Sequence, residues 1–183
     1  MSKIYFTADT HFGDDSARIR SRRPFKDVKE MNYILVSNWN CVVRNDDIVY
    51  HLGDFGDYEY VKKLNGKVIL VYGNHEHRDP LFNEDPEKFI KNLQGMGFYG
   101  QHVQGHTILP MATGEKLLLA HKPSIINEID FPGSMLFGHI HEFQKLKTCG
   151  MNVGVDVNYF TPVDEETIRY YLTLINLVEE ELF

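Results

Sequence analysis

Six short apolar runs punctuate the chain, and each stops at glycine or a polar side chain. They are "IYFTA" (residues 4–8), "IVYHLG" (48–53), "VILVYG" (68–73), "LLLAH" (117–121), "MLFGH" (135–139) and "NVGVDV" (152–157). Runs this short, rich in β-branched and aromatic residues, read as strands buried on both faces. Helical stretches fall between them. "DVKEMNYILVSNWNCVV" sets Val28, Met31, Ile34, Leu35 and Trp39 near helical spacing, with Asp27 as N-cap. "DPEKFIKNLQGMG" opens on Asp85 as N-cap and Pro86 in the first turn, and closes on glycines. "TPVDEETIRYYLTLINLVEEEL" reads as a closing helix from near Asp164, although its Tyr, Thr and Ile content also suits a strand in its middle. Strands alternating with helices indicate an α/β or layered sandwich architecture.

With 183 residues and no repeat or Gly/Ser linker, a single domain spanning 1–183 is expected. The opening "MSKIYFTADTHFG" has no basic segment followed by a long apolar stretch, and no apolar run approaches bilayer length. Cys41 and Cys149 form no disulfide framework and read as reduced thiols. A cytoplasmic protein without a membrane partner is therefore expected. Against 26 acids stand 19 Lys and Arg, a net charge of −7, which argues against sequence-independent binding of duplex DNA. That argument weakens for a chain carrying metal cations, since these become the largest local charges. One basic cluster, Arg18, Arg20, Arg22, Arg23 and Lys26, reads as a solvated loop or as a phosphate-gripping edge.

The residues that end the runs form a set. They are Asp9 and His11, then Asp54, then Asn74, His75 and Glu76, then His121, then His139 and His141. Open sheets place their sites at the carboxyl ends of strands. Residues i and i+2 of an extended segment point the same way, so Asp9/His11 and His139/His141 can each offer two side chains to one cavity. Mixed carboxylate and imidazole ligation suits Mn, Fe, Ni or Zn better than Mg. Any one of these short motifs is weak by itself; the ordered series is what points to a metal site.

D-x-H (Asp9, His11), G-D (Gly53, Asp54), G-N-H-E (residues 73–76), a later His121 and G-H-x-H (residues 138–141) resemble the calcineurin-like metallophosphoesterase superfamily. The phrases "TADTHFG", "VYHLGDF", "VYGNHE" and "NVGVDV" are similar to its small bacterial and phage phosphoesterases. The resemblance implies a four-layer αββα sandwich of two mixed β-sheets flanked by helices. It also implies a dinuclear centre. Asp9, His11 and His141 would hold one metal; Asn74, His121 and His139 would hold the other; Asp54 would bridge them. Manganese is the favoured ion. His75 would stand beside the phosphate as proton donor or charge stabiliser, and Asn74 would supply an oxygen without adding negative charge.

Two departures bear on substrate. Asp14 stands where relatives that share the "DTHFG" phrase carry a His, and an acid there repels phosphate or recruits a cation. In "GDFGDYE", Tyr58 replaces the Arg of phosphoprotein phosphatases. The expected activity is therefore hydrolysis of a phosphate ester, small molecule or nucleotide, and a phosphodiester ahead of a monoester. Alternatives are a phosphomonoesterase, a nuclease or RNA-processing esterase, and, least favoured, a non-catalytic scaffold. Arg78, Asp14, Arg22 and Arg23 are candidate substrate contacts. Asp46 or Asp47 is a candidate to orient a histidine, with a turn-forming role preferred. Asp156 is expected to cap or pair with backbone, Lys122 to face solvent, and His51, His102 and His106 to be structural or surface residues. Phe12, Tyr58 and Tyr60 are candidate stacking platforms for a base.

Overall fold

The central strands of this chain are apolar on both faces because both faces are covered, whereas the edge strand His106–Pro110 leaves one face exposed. The computed structural model describes residues 2–100, 105–111 and 114–182. In chain order these form β1 (Ile4–Thr7), α1 (Asp15–Arg20), α2 (Val28–Val42), β2 (Ile48–His51), β3 (Lys67–Leu70), α3 (Asn74–His77), α4 (Pro80–Glu84), α5 (Pro86–Met96), β4 (His106–Pro110), β5 (Lys116–Ala120), β6 (Met135–Phe137), β7 (Leu146–Lys147), β8 (Gly150–Asn152), β9 (Val163–Asp164) and α6 (Glu165–Leu182). Two mixed sheets result, in the orders β3-β2-β1-β9 and β4-β5-β6-β8-β7. Parallel pairs fill the middle of each sheet. β9, β4 and β7 join antiparallel at the edges.

Register separates the faces. Tyr5, Val49 and Val68 lie abreast and pack outward on Met31, Leu35 and Trp39 of α2 and Phe89 and Leu93 of α5. One residue further on, Phe6 and Tyr50 turn inward. There they meet Leu119, Leu136 and Met151 of the second sheet, with Ile168 and Leu172 of α6 completing this inner core. The outer face of the second sheet, Leu118, Ala120, Met135 and Phe137, is covered by Ile125, Ile126, Ile129 and Phe131. That cover is a 3-10 segment, Pro123–Asn127, and its flanks rather than a long helix. The order of layers is thus helices, sheet, sheet and a thin outer layer.

Helix boundaries follow their caps. The Asp27 and Asp85 side chains accept from the backbone N–H groups of Glu30 and Lys88, and Pro86 opens α5. The closing segment is helical throughout Glu165–Leu182, preceded by the two-residue β9. Two expectations need correction. "NVGVDV" is not one strand: β8 ends at Asn152, and Val155–Val157 is a 3-10 turn. Gly154 forms a bridge to Ala8, so this segment ties the two sheets together at the site. The basic cluster is a loop only in part: Arg18 and Arg20 end α1, whereas Arg22, Arg23 and Lys26 follow it in turn and loop. Both cysteines are free thiols. Among the described residues, no helix is long and apolar enough to cross a membrane.

Candidate metal centre

The carboxyl ends of β1, β2, β3, β5 and β6 converge where the sheets meet. Asp9 and His11 follow β1, Asp54 follows β2, Asn74 begins α3 after β3, His121 follows β5, and His139 and His141 follow β6. Five of these residues have left-handed backbone: Asp9 (φ 58), His11 (49), Asp54 (56), His139 (72) and His141 (48). Side chains rarely adopt that region, and holding one there costs about 1–3 kcal/mol. The neighbours enforce it. Asp9 N–H donates to the Gly53 carbonyl, His11 N–H to that of Asp54, and His139 N–H to the Asp9 carboxylate at 2.9 Å. Gly138 permits that last approach, because a Cβ there would sit 2.5 Å from Asp9 Oδ2.

Among the described residues, three groups bring ligand atoms within 4.8 Å of one another: Asp9/His11/His141, Asp9/Asp54/His121 and His11/Asp14/His75. Asp54 faces two ways. Its Oδ2 lies 3.6 Å from His11 Nε2, and its Oδ1 lies 3.4 Å from His121 Nε2. Around His121 Nε2 also gather Asn74 Oδ1 at 3.0 Å and His139 Nδ1 at 3.2 Å. His11 is 1% exposed, and neither of its ring nitrogens has a hydrogen-bond partner. Buried polar atoms are normally paired, so an orphaned imidazole beside two carboxylates fits a divalent cation. The donor set of imidazoles, carboxylates and one amide fits the borderline first-row ions.

Outer contacts fix the ring orientations. His121 Nδ1 lies 2.8 Å from the Leu52 carbonyl and His141 Nδ1 2.8 Å from Asp156 Oδ2, which aims each Nε2 inward. Asp156 therefore serves a histidine rather than backbone, correcting the expectation above. It is also held by Arg23. Glu76 is fully buried, and its carboxylate accepts from the N–H groups of Asp54, Phe55 and Gly73, clamping the loops after β2 and β3 together.

Electrostatics follow from this crowding. Burial raises Asp9 to about 6 and lowers His11 to about 3. Burial opposes ionisation of Asp54, but the His121 hydrogen bond and charge hold its carboxyl well below the usual range. Burial likewise opposes charge on His121, yet Asp54 and Asp9 prevail and raise it to about 9. His139 is lowered by burial and by the charges of His121 and Lys122. In protein stripped of metal, the His121 proton stabilises the fold fully below pH 6.5, and that contribution is lost as pH climbs through 9. A cation ligated by His121 would displace this proton. With His121 as a ligand, the affinity for a divalent cation is expected to rise about tenfold per pH unit between 7 and 9, with one proton released. Calorimetry in buffers of different ionisation enthalpy measures both; an affinity flat with pH would remove His121 from the ligand set.

His11, Asp54, Asn74, His139 and His141 open into a cavity of about 360 Å³ lined also by Asp14, Arg20, His75 and Arg78. Asp14 caps α1 through Ser16 and Ala17 and lies 3.7 Å from His11 Nδ1. Arg78 is exposed at the rim, and among the described residues it makes no ion pair, with Asp79 or otherwise; Asp79 caps α4. Two arginine expectations are corrected. Arg23 cannot touch substrate: its fully buried guanidinium binds Asp156 and the carbonyls of Asp9 and Thr10, beneath the site. Arg22 is exposed after α1 and does not line the cavity, whereas Arg20 of the same cluster does. Asp47 forms a turn by accepting from Lys3 and Arg44, as preferred. His51 is buried against Thr10, and Phe12, Tyr58 and Tyr60 pack in or against the core rather than offering a base platform. His106 lies exposed on β4, and His102 falls outside the described residues.

A two-sheet sandwich with clustered histidine and carboxylate ligands at its strand ends defines a candidate metalloprotein. The chain is 31% identical over 183 residues to the uncharacterized protein MJ1445 of Methanocaldococcus jannaschii, a match covering 92% of this chain and 90% of that protein, and it belongs to the same family. A shorter match, 30% over 99 residues, is to the Gene 66 protein of Mycobacterium phage L5 and covers 49% of this chain and 47% of that protein. The crystal structure of the protein of unknown function AQ665 from Aquifex aeolicus shares the fold, with TM-score 0.73 at 24% identity over 93% of this chain and all of that one. No family model matches the chain.

Proposed function

We propose that this chain, as one domain, is a phosphoesterase that uses two divalent cations, manganese favoured, and acts on phosphodiesters. The observation that carries this reading is Asp54, whose two oxygens face two separate ligand sets, as a bridging carboxylate requires. In the proposed arrangement Asp9, His11 and His141 hold one ion and Asn74, His121 and His139 the other. Bound cations would supply a water of lowered pKa and stabilise charge on the phosphate oxygens.

The chain's own groups do the rest. Leu52 and Asp156 hold His121 and His141 in one orientation. His75, its side chain 39% exposed on the cavity wall, donates a proton to the departing alcohol as the water oxygen bonds to phosphorus and the ester P–O bond breaks. Arg20 at the rim supplies a cationic fork for the non-bridging oxygens, and Arg78 a further cation for the substrate. The nuclease alternative draws less support from the basic cluster than its five cations would give, because two of them are engaged within the fold. Arg23 is buried, and Arg18 binds Asp15 and the Phe25 carbonyl. A cytoplasmic location accords with the free thiols.

Protein stripped with chelator and reloaded with manganese is expected to hydrolyse bis-p-nitrophenyl phosphate faster than p-nitrophenyl phosphate. His75→Ala should lower kcat by about 10²–10³ with metal content retained. Undiminished turnover would remove His75 from the scheme, and preference for the monoester would remove the diester.

A further inference from the structure

Beside the metal cavity lies a second one, also about 360 Å³. Asn74 and Arg78 line both, so the two adjoin at the start of α3. Its chemistry differs from the first. Tyr72 and Ile125 give it an apolar wall; Asn74 and His121 mark its border with the candidate metal centre, and His77, Arg78 and Lys122 supply the polar groups on its far side. No carboxylate is among the described residues lining it, in a chain with seven more acids than Lys and Arg, whereas the first cavity carries Asp14 and Asp54. Arg78 and Lys122 are exposed, and neither pairs with an acid among the described residues. Two unpaired cations over an apolar wall make a site for an organic group that bears an anion.

We infer that this second cavity binds the retained substituent of the diester and selects one that carries a second phosphate, held by Lys122 and Arg78. The inference rests on the phosphoesterase reading for its direction. His75 lines the first cavity and not the second, so the departing alcohol lies on the first side and the retained group extends past Asn74. A nucleoside with phosphates on both its 3′ and 5′ oxygens has the required chemistry: one phosphate for the metals, a flat apolar body for the wall, and one phosphate for the cations.

The test is calorimetric binding of thymidine 3′,5′-bisphosphate and thymidine 5′-monophosphate to the manganese-loaded full chain at fixed ionic strength. The bisphosphate is expected to bind at least about tenfold tighter, the range of one charge-assisted contact. Lys122→Ala should shrink that gap to under about threefold, whereas Lys91→Ala, exposed on α5 and lining neither cavity, should preserve it. Equal affinities in the native protein, or equal narrowing by Lys91→Ala, would overturn the inference. Release of p-nitrophenolate from bis-p-nitrophenyl phosphate by the same preparation reports the phosphoesterase reading separately. A gap without turnover sinks that reading and keeps the binding site; turnover without a gap does the reverse.

Discussion

Asp54→Asn is expected to reduce bound metal from the proposed two ions per chain to one or none and to lower the proposed diester turnover by at least about 10³-fold. The size follows from position. Asp54 is the carboxylate whose oxygens lie 3.6 and 3.4 Å from the Nε2 atoms of His11 and His121. Asn keeps the shape and one oxygen, but it offers one face an amide donor and removes the charge both faces share. The same charge holds His121 protonated in stripped protein, so the raised His121 titration should fall back in this variant. Metal analysis, turnover and an NMR titration of His121 together decide the matter. Two tightly held ions in Asp54→Asn would show that the bridge lies elsewhere, with Asp9, which belongs to two of the ligand groups, the next candidate.

Arg23→Met should destabilise the fold by about 3–5 kcal/mol, the range for removing one partner of a buried ion pair. Met fills a similar volume, so the loss is polar rather than a cavity. Asp156 would lose both prongs of the guanidinium, at 2.7 and 2.9 Å, and the Asp9 and Thr10 carbonyls would lose donors at 2.6 and 2.9 Å. For a chain of this length each kcal/mol shifts Tm by about 2–4 °C, so a fall of roughly 10 °C is expected in stripped protein. Arg23→Lys should lie between, since an ammonium cannot fork. A shift within about 1 kcal/mol would mean that Asp156 finds full compensation in His141.

These variants also mark how far the sequence alone reaches. The proposed ligands were legible because each sits within four residues of a strand end, where short motifs record both the residue type and the turn that presents it. Capped helices were legible for the same local reason. Arg23 was misread because its partner is Asp156, 133 residues away, and nothing local distinguishes a buried guanidinium from a solvated one. The clamp by Glu76 was missed although Glu76 stands inside the best motif, since its partners are backbone groups of another loop. "NVGVDV" misled because an apolar, β-branched run is written alike for a strand and for the tight crossing between sheets that Gly154 makes beside Asp9 and Asn152.

The left-handed turns at Asp9, His11, Asp54, His139 and His141 have a consequence for how such a centre can change over time. Asp, Asn and His are the side chains that most readily tolerate this backbone conformation, and they are also ligands graded from hard oxygen to softer nitrogen. Exchange among the three types meets little resistance from the main chain, so the metal preference of the centre can drift while the scaffold stays as it is. Val or Ile at any of the five would pit its branched side chain against the turn itself. The scaffold thus filters its own variation towards residues that can still bind a cation.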